Sequence, residues 1–286
     1  MPAFSRVVGV ASLTFVKYCP GADNLTRGAA PRLVLGEASR PPDEAIVRND
    51  IQTDDIPVLC ASCEARHRGI CAALDAAQLI ALARSSHKYR AGEGEELVGE
   101  AESIQSYSNV LSGVVKLTKT LSDGRQQIVG LRFASDFLGR PFRVESKLNA
   151  EAATKVSLCS FPRGAIDRMM KEQPDLEHRL LQQTLKELDE AREWMVTLGR
   201  KTAAEKVASF LLLIARNIDP TAGEDRHSAE FELPLTRADI ADFLGLTIET
   251  VSRQFTRLRA DGVIAIENNR HVRVPSMAKL AARSGS

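Results

Sequence analysis

The sequence predicts an α+β chain in three parts: a small β-roll of jelly-roll type, one long helix, and a C-terminal winged helix-turn-helix. Three observations predict it. Between residues 76 and 175, short runs alternate apolar with polar side chains and are punctuated by Gly92, Gly94, Gly99, Gly113, Gly124 and Gly130, as in a small barrel or doubled sheet. From about Pro174 the apolar period becomes helical, with Leu181, Leu185, Leu188, Met195 and Leu198 close to a heptad stripe. Last, "LPLTRADIADFLGLTIETVSRQFTRLRADGVI" reads as helix, short Gly-containing turn, helix.

The 286 residues suffice for two domains with cores, plus appendages. Hydrophobic residues make up 44% and charged ones 26%, and no run approaches the roughly 20 apolar residues of a bilayer span, so no membrane partner is expected. The patterns divide the chain into a flexible extension over 1–55, a cysteine segment over 56–75, the roll over 76–175, a dimerisation helix over 176–199 and a winged helix-turn-helix over 200–286. "SRVVGVASLTFVKY" begins like an export signal, but Lys17 and Tyr18 interrupt it and no small-x-small cleavage site follows. The net charge of +1 hides an Arg-rich stretch from Arg253 to Arg283, which suits a polyanion.

The stretch "CASCEARHRGIC" concentrates Cys60, Cys63 and Cys71; Cys19 and Cys159 stand apart. An odd number of cysteines in a chain too large to need disulfide staples favours a reducing, cytoplasmic compartment and a metal or redox use. Three thiols fall one short of a four-ligand site. Cys60, Cys63, His67 and Cys71 alone would make a Cys3His zinc set; inert buried thiols are a third reading. Cys19, in the extension, reads as a free thiol.

In chain order, "LDAAQLIALARSSHKYR" spaces Leu74, Leu79 and Leu82 as a short amphipathic helix does. "SNVLSGVVKLTKTL" and "RQQIVGLRFA" alternate on either side of Ser122-Asp123-Gly124, a hairpin signal. "EAATKVSLCSFP" reads as one further strand, an edge strand carrying Cys159 and closed by Pro162. The long helix is flanked by Lys186, Glu187, Asp189, Glu190 and Glu193, and its stripe needs a partner: the chain's own core or the same helix of a second subunit. Gly199 is expected to end it. "TAAEKVASFLLLIARN" then opens a helix, with Thr202 and Glu205 as a capping box. The five histidines are scattered and no base-nucleophile pair presents itself, so an enzyme is not expected.

In the C-terminal part Thr236 with Asp239 caps a helix to Leu244, Gly245 makes the turn, and Thr247 caps a second helix ending near Asp261-Gly262. In the second helix Ile248, Val251, Phe255 and Leu258 form the inward face, leaving Glu249, Thr250, Ser252, Arg253 and Arg257 outward. Such a helix enters the major groove of double-stranded DNA. Arg253 can donate two bonds to guanine, Glu249 can accept from cytosine, and Ser252 can meet a base edge or phosphate. "VIAIENNRHVRVP" reads as a two-stranded wing around Asn268-Asn269, offering Arg270, His271 and Arg273 to phosphates.

This order of parts, with "TRADIADFLGLTIETVSR", resembles the CRP/FNR superfamily of bacterial transcription regulators over about residues 56–280. The resemblance implies a cyclic-nucleotide-binding-like β-roll and a homodimer that reads a TTGAT...ATCAA operator through Glu249, Ser252 and Arg253. It also implies contact with RNA polymerase, with "LSDGRQ" a candidate patch. Cyclic-nucleotide sensors of the superfamily carry Gly-Glu and Arg-Ser-Ala where this chain has "SDFLGRPFRVESKLNAEAATKV", so no cyclic nucleotide is implied. The FNR branch holds a [4Fe-4S] cluster on three N-terminal cysteines and one from the roll, matching Cys60, Cys63, Cys71 and Cys159. The C-x2-C-x7-C spacing resembles the FnrN and FixK-like subgroup. The four thiolates would leave a 2- cluster, which Arg66, His67 and Arg68 can offset. The alternative within the superfamily is a FixK-like regulator without a cluster, controlled by expression level or thiol oxidation. Ala191 departs from the FNR pattern, which has an acidic residue near the helix seam.

Overall fold

A computed structural model describes residues 56, 58–61, 63–219, 221 and 226–285. The expected flexible extension and Cys19 lie outside the described residues.

The cysteine segment folds as α1 (Val58–Ala61), α2 (Glu64–Arg68) and a 3-10 turn over Ile70–Ala73. It leads into α3 (Ala76–Ser85), where Asp75 and Gln78 exchange capping bonds of 2.8 and 2.9 Å and Leu79 and Leu82 face inward. Eight strands follow: β1 (His87–Ala91), β2 (Glu96–Val98), β3 (Ser106–Ser112), β4 (Val115–Thr120), β5 (Gln126–Arg132), β6 (Phe137–Leu138), β7 (Asn149–Ala152) and β8 (Val156–Pro162). They form two antiparallel four-stranded sheets in the orders β1-β8-β3-β6 and β2-β7-β4-β5, the expected roll.

Three expectations about the strands are corrected. "SNVLSGVVKLTKTL" is two strands in different sheets, split at Gly113, where φ is +85° and a Cβ would lie 2.4 Å from the Lys155 carbonyl oxygen. "EAATKVSLCSFP" is likewise two strands, β7 and β8. β8 is no edge strand: it lies between β1 and β3, so Cys159 faces Lys88 on one side and Asn109 on the other. Alternation reports which face a residue takes and is silent on which strand lies next to it.

Helix α4 (Arg163–Glu172) then leads to α5 (Pro174–Arg200), which runs through Gly199 to a cap at Lys201. After α6 (Ala203–Asn217) come β9 (Ala229–Glu232), α7 (Arg237–Leu244), α8 (Ile248–Ala260), β10 (Ala265–Glu267), β11 (His271–Val274) and α9 (Met277–Arg283). Thr202 and Thr236 both make full capping boxes, with Glu205 and Asp239. The wing carries a third strand, in the order β10-β11-β9. Roll and reading head share one core: Val114, Ile128, Leu131 and Phe133 join a cluster with Phe210, Phe243 and Val251.

The turn at Gly113 tolerates no side chain. Gly113→Ala is expected to lose about 2 kcal/mol or more in urea unfolding, because an L-residue at this φ is strained and its Cβ collides with backbone; an unchanged midpoint would refute that account.

Candidate functional site

The turns around α1 and α2 fold the short cysteine spacing onto one side. Cys63 N donates to Cys60 O at 3.3 Å and Arg66 N to Cys63 O at 3.0 Å. Cys71 sits in the 3-10 turn and Cys159 on β8, and the four thiols, all free, line one small cavity together with Arg66 and Asn109. His67 does not line it. Among the described residues, no group of three or more His, Cys, Asp or Glu stands at single-ion spacing.

The electrostatics of this cavity are unusual. Burial pushes the Cys71 thiol far up, with Cys63 adding to the effect, and burial raises Cys159 to about 11. Burial also raises Cys60, against the pull of Arg66 and Lys88. Asn109 Nδ2 donates to Cys71 Sγ at 3.3 Å, while Asn109 Oδ1 is buried without a partner. Arg66 is only 7% exposed and no carboxylate pairs with it among the described residues. A buried guanidinium without an anion is costly, and among the described residues no carboxylate offsets its charge. The donor set therefore fits a group that binds four thiolates and brings negative charge.

The second constellation is α8. Thr247 Oγ1 accepts from Thr250 N at 3.2 Å, and Gly245 at φ +61° makes the turn that α7 needs to reach it. Val251, Phe255 and Leu258 are buried, as expected; Ile248 is corrected, being 47% exposed at the first turn. Thr247, Glu249, Ser252, Arg253 and Arg257 are exposed and Thr250 is half-buried, held by Arg253 Nη2 at 3.1 Å. On the wing, Asn268 and Asn269 take φ of 51° and 59° at the centre of a turn that Arg270 N closes on Glu267 O at 3.2 Å. Arg273 is exposed, whereas Arg270 pairs with Glu93 of the roll at 3.3 Å. His271 is not free for phosphate: its ring lies 2.7 Å from Glu230 and 3.2 Å from Glu232. The sequence reading also missed Arg237, whose guanidinium lies 3.7 Å over the Phe255 ring and donates to Asn269 O at 3.4 Å, tying α7, α8 and the wing together.

Helix α5 is two-sided. Leu176, Leu180 and Thr197 are buried against the chain itself. Leu181, Leu185, Leu188 and Met195 are 54, 51, 45 and 72% exposed, joined by Val196; Leu198 is half-buried. Among the described residues, nothing of the chain's own core covers that stripe. Beside it, between α5 and the roll, opens a cavity of ≈ 1130 Å³ lined in part by Arg140, Phe142 and Arg143.

Known proteins agree with this layout. The cyclic nucleotide-binding domain matches residues 88–173 and the Crp-like helix-turn-helix domain residues 205–283. A probable transcriptional activator of Rhizobium leguminosarum bv. viciae is 54% identical over 82% of this chain and 97% of its own. The transcriptional activator protein FnrL of Cereibacter sphaeroides is 43% identical over 79% and 92%. The chain belongs to the CRP/FNR family of transcription regulators, in its FixK-like branch. The solved structure of FixK2 from Bradyrhizobium japonicum superposes with a TM-score of 0.64 at 31% identity, covering 70% of this chain and 98% of that one. In this CRP/FNR chain, regulator rather than enzyme, the stretch beside the large cavity has Arg140 and Pro141 after Gly139, and Phe142 stands 76% exposed at φ +66°.

Glu230, with Glu232, holds the His271 imidazolium and raises its pKa above the ordinary value. Its contribution to the wing is thus present in full below the unfolded pKa and lost as pH rises through the raised folded one. Glu230→Gln is expected to move the NMR titration of His271 down, back toward about 6.5; an unmoved titration would dismiss the pairing.

Proposed function

We propose that this chain is an oxygen-responsive transcription activator that carries a [4Fe-4S] cluster and, as a homodimer, binds TTGAT-type palindromic operators when oxygen is low. What carries the reading is the gathering of four free cysteines, three from the N-terminal segment and one from β8, around a cavity that also holds Arg66, which pairs with no carboxylate among the described residues. Cys60, Cys63, Cys71 and Cys159 would hold the cluster, with Arg66 and Lys88 offsetting its charge. Bound there, it supplies reactivity toward oxygen. Zinc on the Cys3His set is disfavoured because the cavity recruits Cys159 rather than His67.

The remaining parts belong to the chain. Arg179 of α5 donates through Nη2 to Arg68 O at 2.8 Å and through Nε to Gly69 O at 3.5 Å, linking the cysteine segment to the helix with the open stripe. Ordering of residues 58–73 therefore bears directly on α5, whose Leu181, Leu185, Leu188, Met195 and Leu198 would pair across a two-fold axis. Asp189, Glu190 and Glu193 are exposed beside the stripe, and like charges across such a seam keep association marginal. Pairing sets two α8 helices one DNA turn apart, roughly 34–36 Å. Glu249, Ser252 and Arg253 would read bases, and Thr247, Thr250, Arg257 and Arg273 would position the backbone, with Arg270 once Glu93 releases it. RNA polymerase would meet the roll at the exposed tip of the β4–β5 hairpin, around Leu121. The loss of the Gly-Glu and Arg-Ser-Ala pair supports a sensor that takes no cyclic nucleotide.

Protein purified without oxygen should contain about four iron and four sulfide per chain, with visible absorption that bleaches in air, and Cys159→Ala should lack both. A colourless protein with one zinc would sink the cluster and leave the DNA reader, as in a FixK-like regulator controlled by expression level or thiol oxidation. Arg253→Ala should cost about 1–3 kcal/mol on a TTGAT duplex and relax preference at one base pair; an equal loss on every sequence would assign Arg253 to phosphate instead.

A further inference from the structure

One hairpin of the roll grips the first helix of the reading head at both ends. Lys116, on β4, donates from Nζ to Asp239 Oδ1 at 2.8 Å and lies 3.0 Å from Glu151 Oε1 on β7. Asp239 is the capping residue of α7: its Oδ2 accepts from Thr236 N at 3.1 Å and from Thr236 Oγ1 at 2.5 Å. At the other end of α7, Gln127 Nε2 on β5 donates to Phe243 O at 3.1 Å. Between these points Ile128 and Leu131 share a core with Ile240 and Phe243. The bridge is well sheltered, with Lys116 and Asp239 side chains 15 and 21% exposed. Burial alone would raise the Asp239 carboxyl, and Lys116 with Thr236 more than reverses it.

Helices α7 and α8 form one packed unit, because Val251, Phe255 and Leu258 lie in the same core as Ile240, Phe243 and Leu244. Whatever fixes α7 against the roll therefore fixes the direction of α8. We propose that Lys116 is a positioning residue for DNA recognition, which with Gln127 clamps α7 to the sensor roll and so sets the angle at which α8 is presented. Lys116 is no phosphate contact, since its ammonium is enclosed between two carboxylates. A two-fold reader is sensitive to this angle, as both recognition helices must enter successive major grooves together. The clamp rests on the family's DNA reading and is independent of the cluster.

The test uses the full chain with Lys116→Gln, Lys116→Arg and Gln127→Ala. Binding is measured on a TTGAT duplex and on a random duplex of equal length, beside amide hydrogen exchange. Lys116→Gln should weaken binding to the TTGAT duplex about 5- to 20-fold and leave the random duplex within about twofold, since nonspecific binding is set by phosphate charge. Lys116→Arg should restore most of it. Gln127→Ala, which removes no charge, should act the same way more weakly, and exchange over residues 237–246 should rise in both variants. Equal losses on the two duplexes, or a folded Lys116→Gln with unchanged discrimination, would overturn the clamp. If wild type does not distinguish the duplexes, the operator reading falls instead, and the exchange of 237–246 alone decides for or against the clamp.

Discussion

Helix α5 is the element that joins the cysteine segment, the roll and the reading head. Its 27 residues, about 40 Å at 1.5 Å each, form a single rod that touches every other part. Near its start Arg179 caps the carbonyls that end α2, while Leu176 and Leu180 share a core with Ile70 and Met170. Midway Glu187 receives Arg132 of β5 at 2.6 Å. Near its end Trp194 meets Phe243 of α7, ring centroids 4.6 Å apart. A rod with three anchors cannot yield at one without loading the others, and its open stripe adds a fourth demand that the described residues leave unmet.

The cysteine cavity shows why its residue types belong together. An unpaired buried cation and an unpartnered amide oxygen each cost free energy, typically about 1–3 kcal/mol for the neutral group and more for the charged one. Arg66 and Asn109 carry those costs within one cavity, beside the Cys60, Cys71 and Cys159 thiols, whose pKa burial raises. A fold selected for stability alone would place apolar side chains there. The surrounding wall does so, with Leu79, Leu82 and Phe161, so the polar groups stand out against a core that is otherwise ordinary.

Much of this was legible in the sequence because its signals are local. Caps at Thr202, Thr236 and Thr247, the turn at Gly245, the hairpin at Asp123-Gly124 and the heptad stripe are each written within a few residues, and each lies where it was read. The misreadings share a cause. Strand order, the inner place of β8 and the third wing strand β9 depend on pairing between distant segments. The contacts of Lys116 with Asp239 and Arg179 with Arg68 span 123 and 111 positions. His271 looked like a free cation until the fold set two carboxylates beside it. Helix α4 opens at Pro162 with no side-chain cap to mark it, and α9 has only 7 residues.

The three anchors of α5 differ in strength, and the difference decides where the chain opens first. At the C-terminal end the rod joins a broad apolar core through Trp194 and Phe243, and burying such side chains contributes about 1.5–3 kcal/mol each. Midway an ion pair whose Glu187 side chain is 36% exposed adds little. At the N-terminal end the partners are helices of four and five residues, too short to stand alone against the cost of nucleation. They are held by the burial of Ala65, Ile70, Cys71 and Leu74, by the two Arg179 bonds and by the Asn109 bond to Cys71. The cysteine segment is therefore the part whose ordering is cheapest to lose. Its loss would take from Arg179 both carbonyls and from Leu176 and Leu180 the Ile70 side of their core, one turn from Leu181, where the open stripe begins.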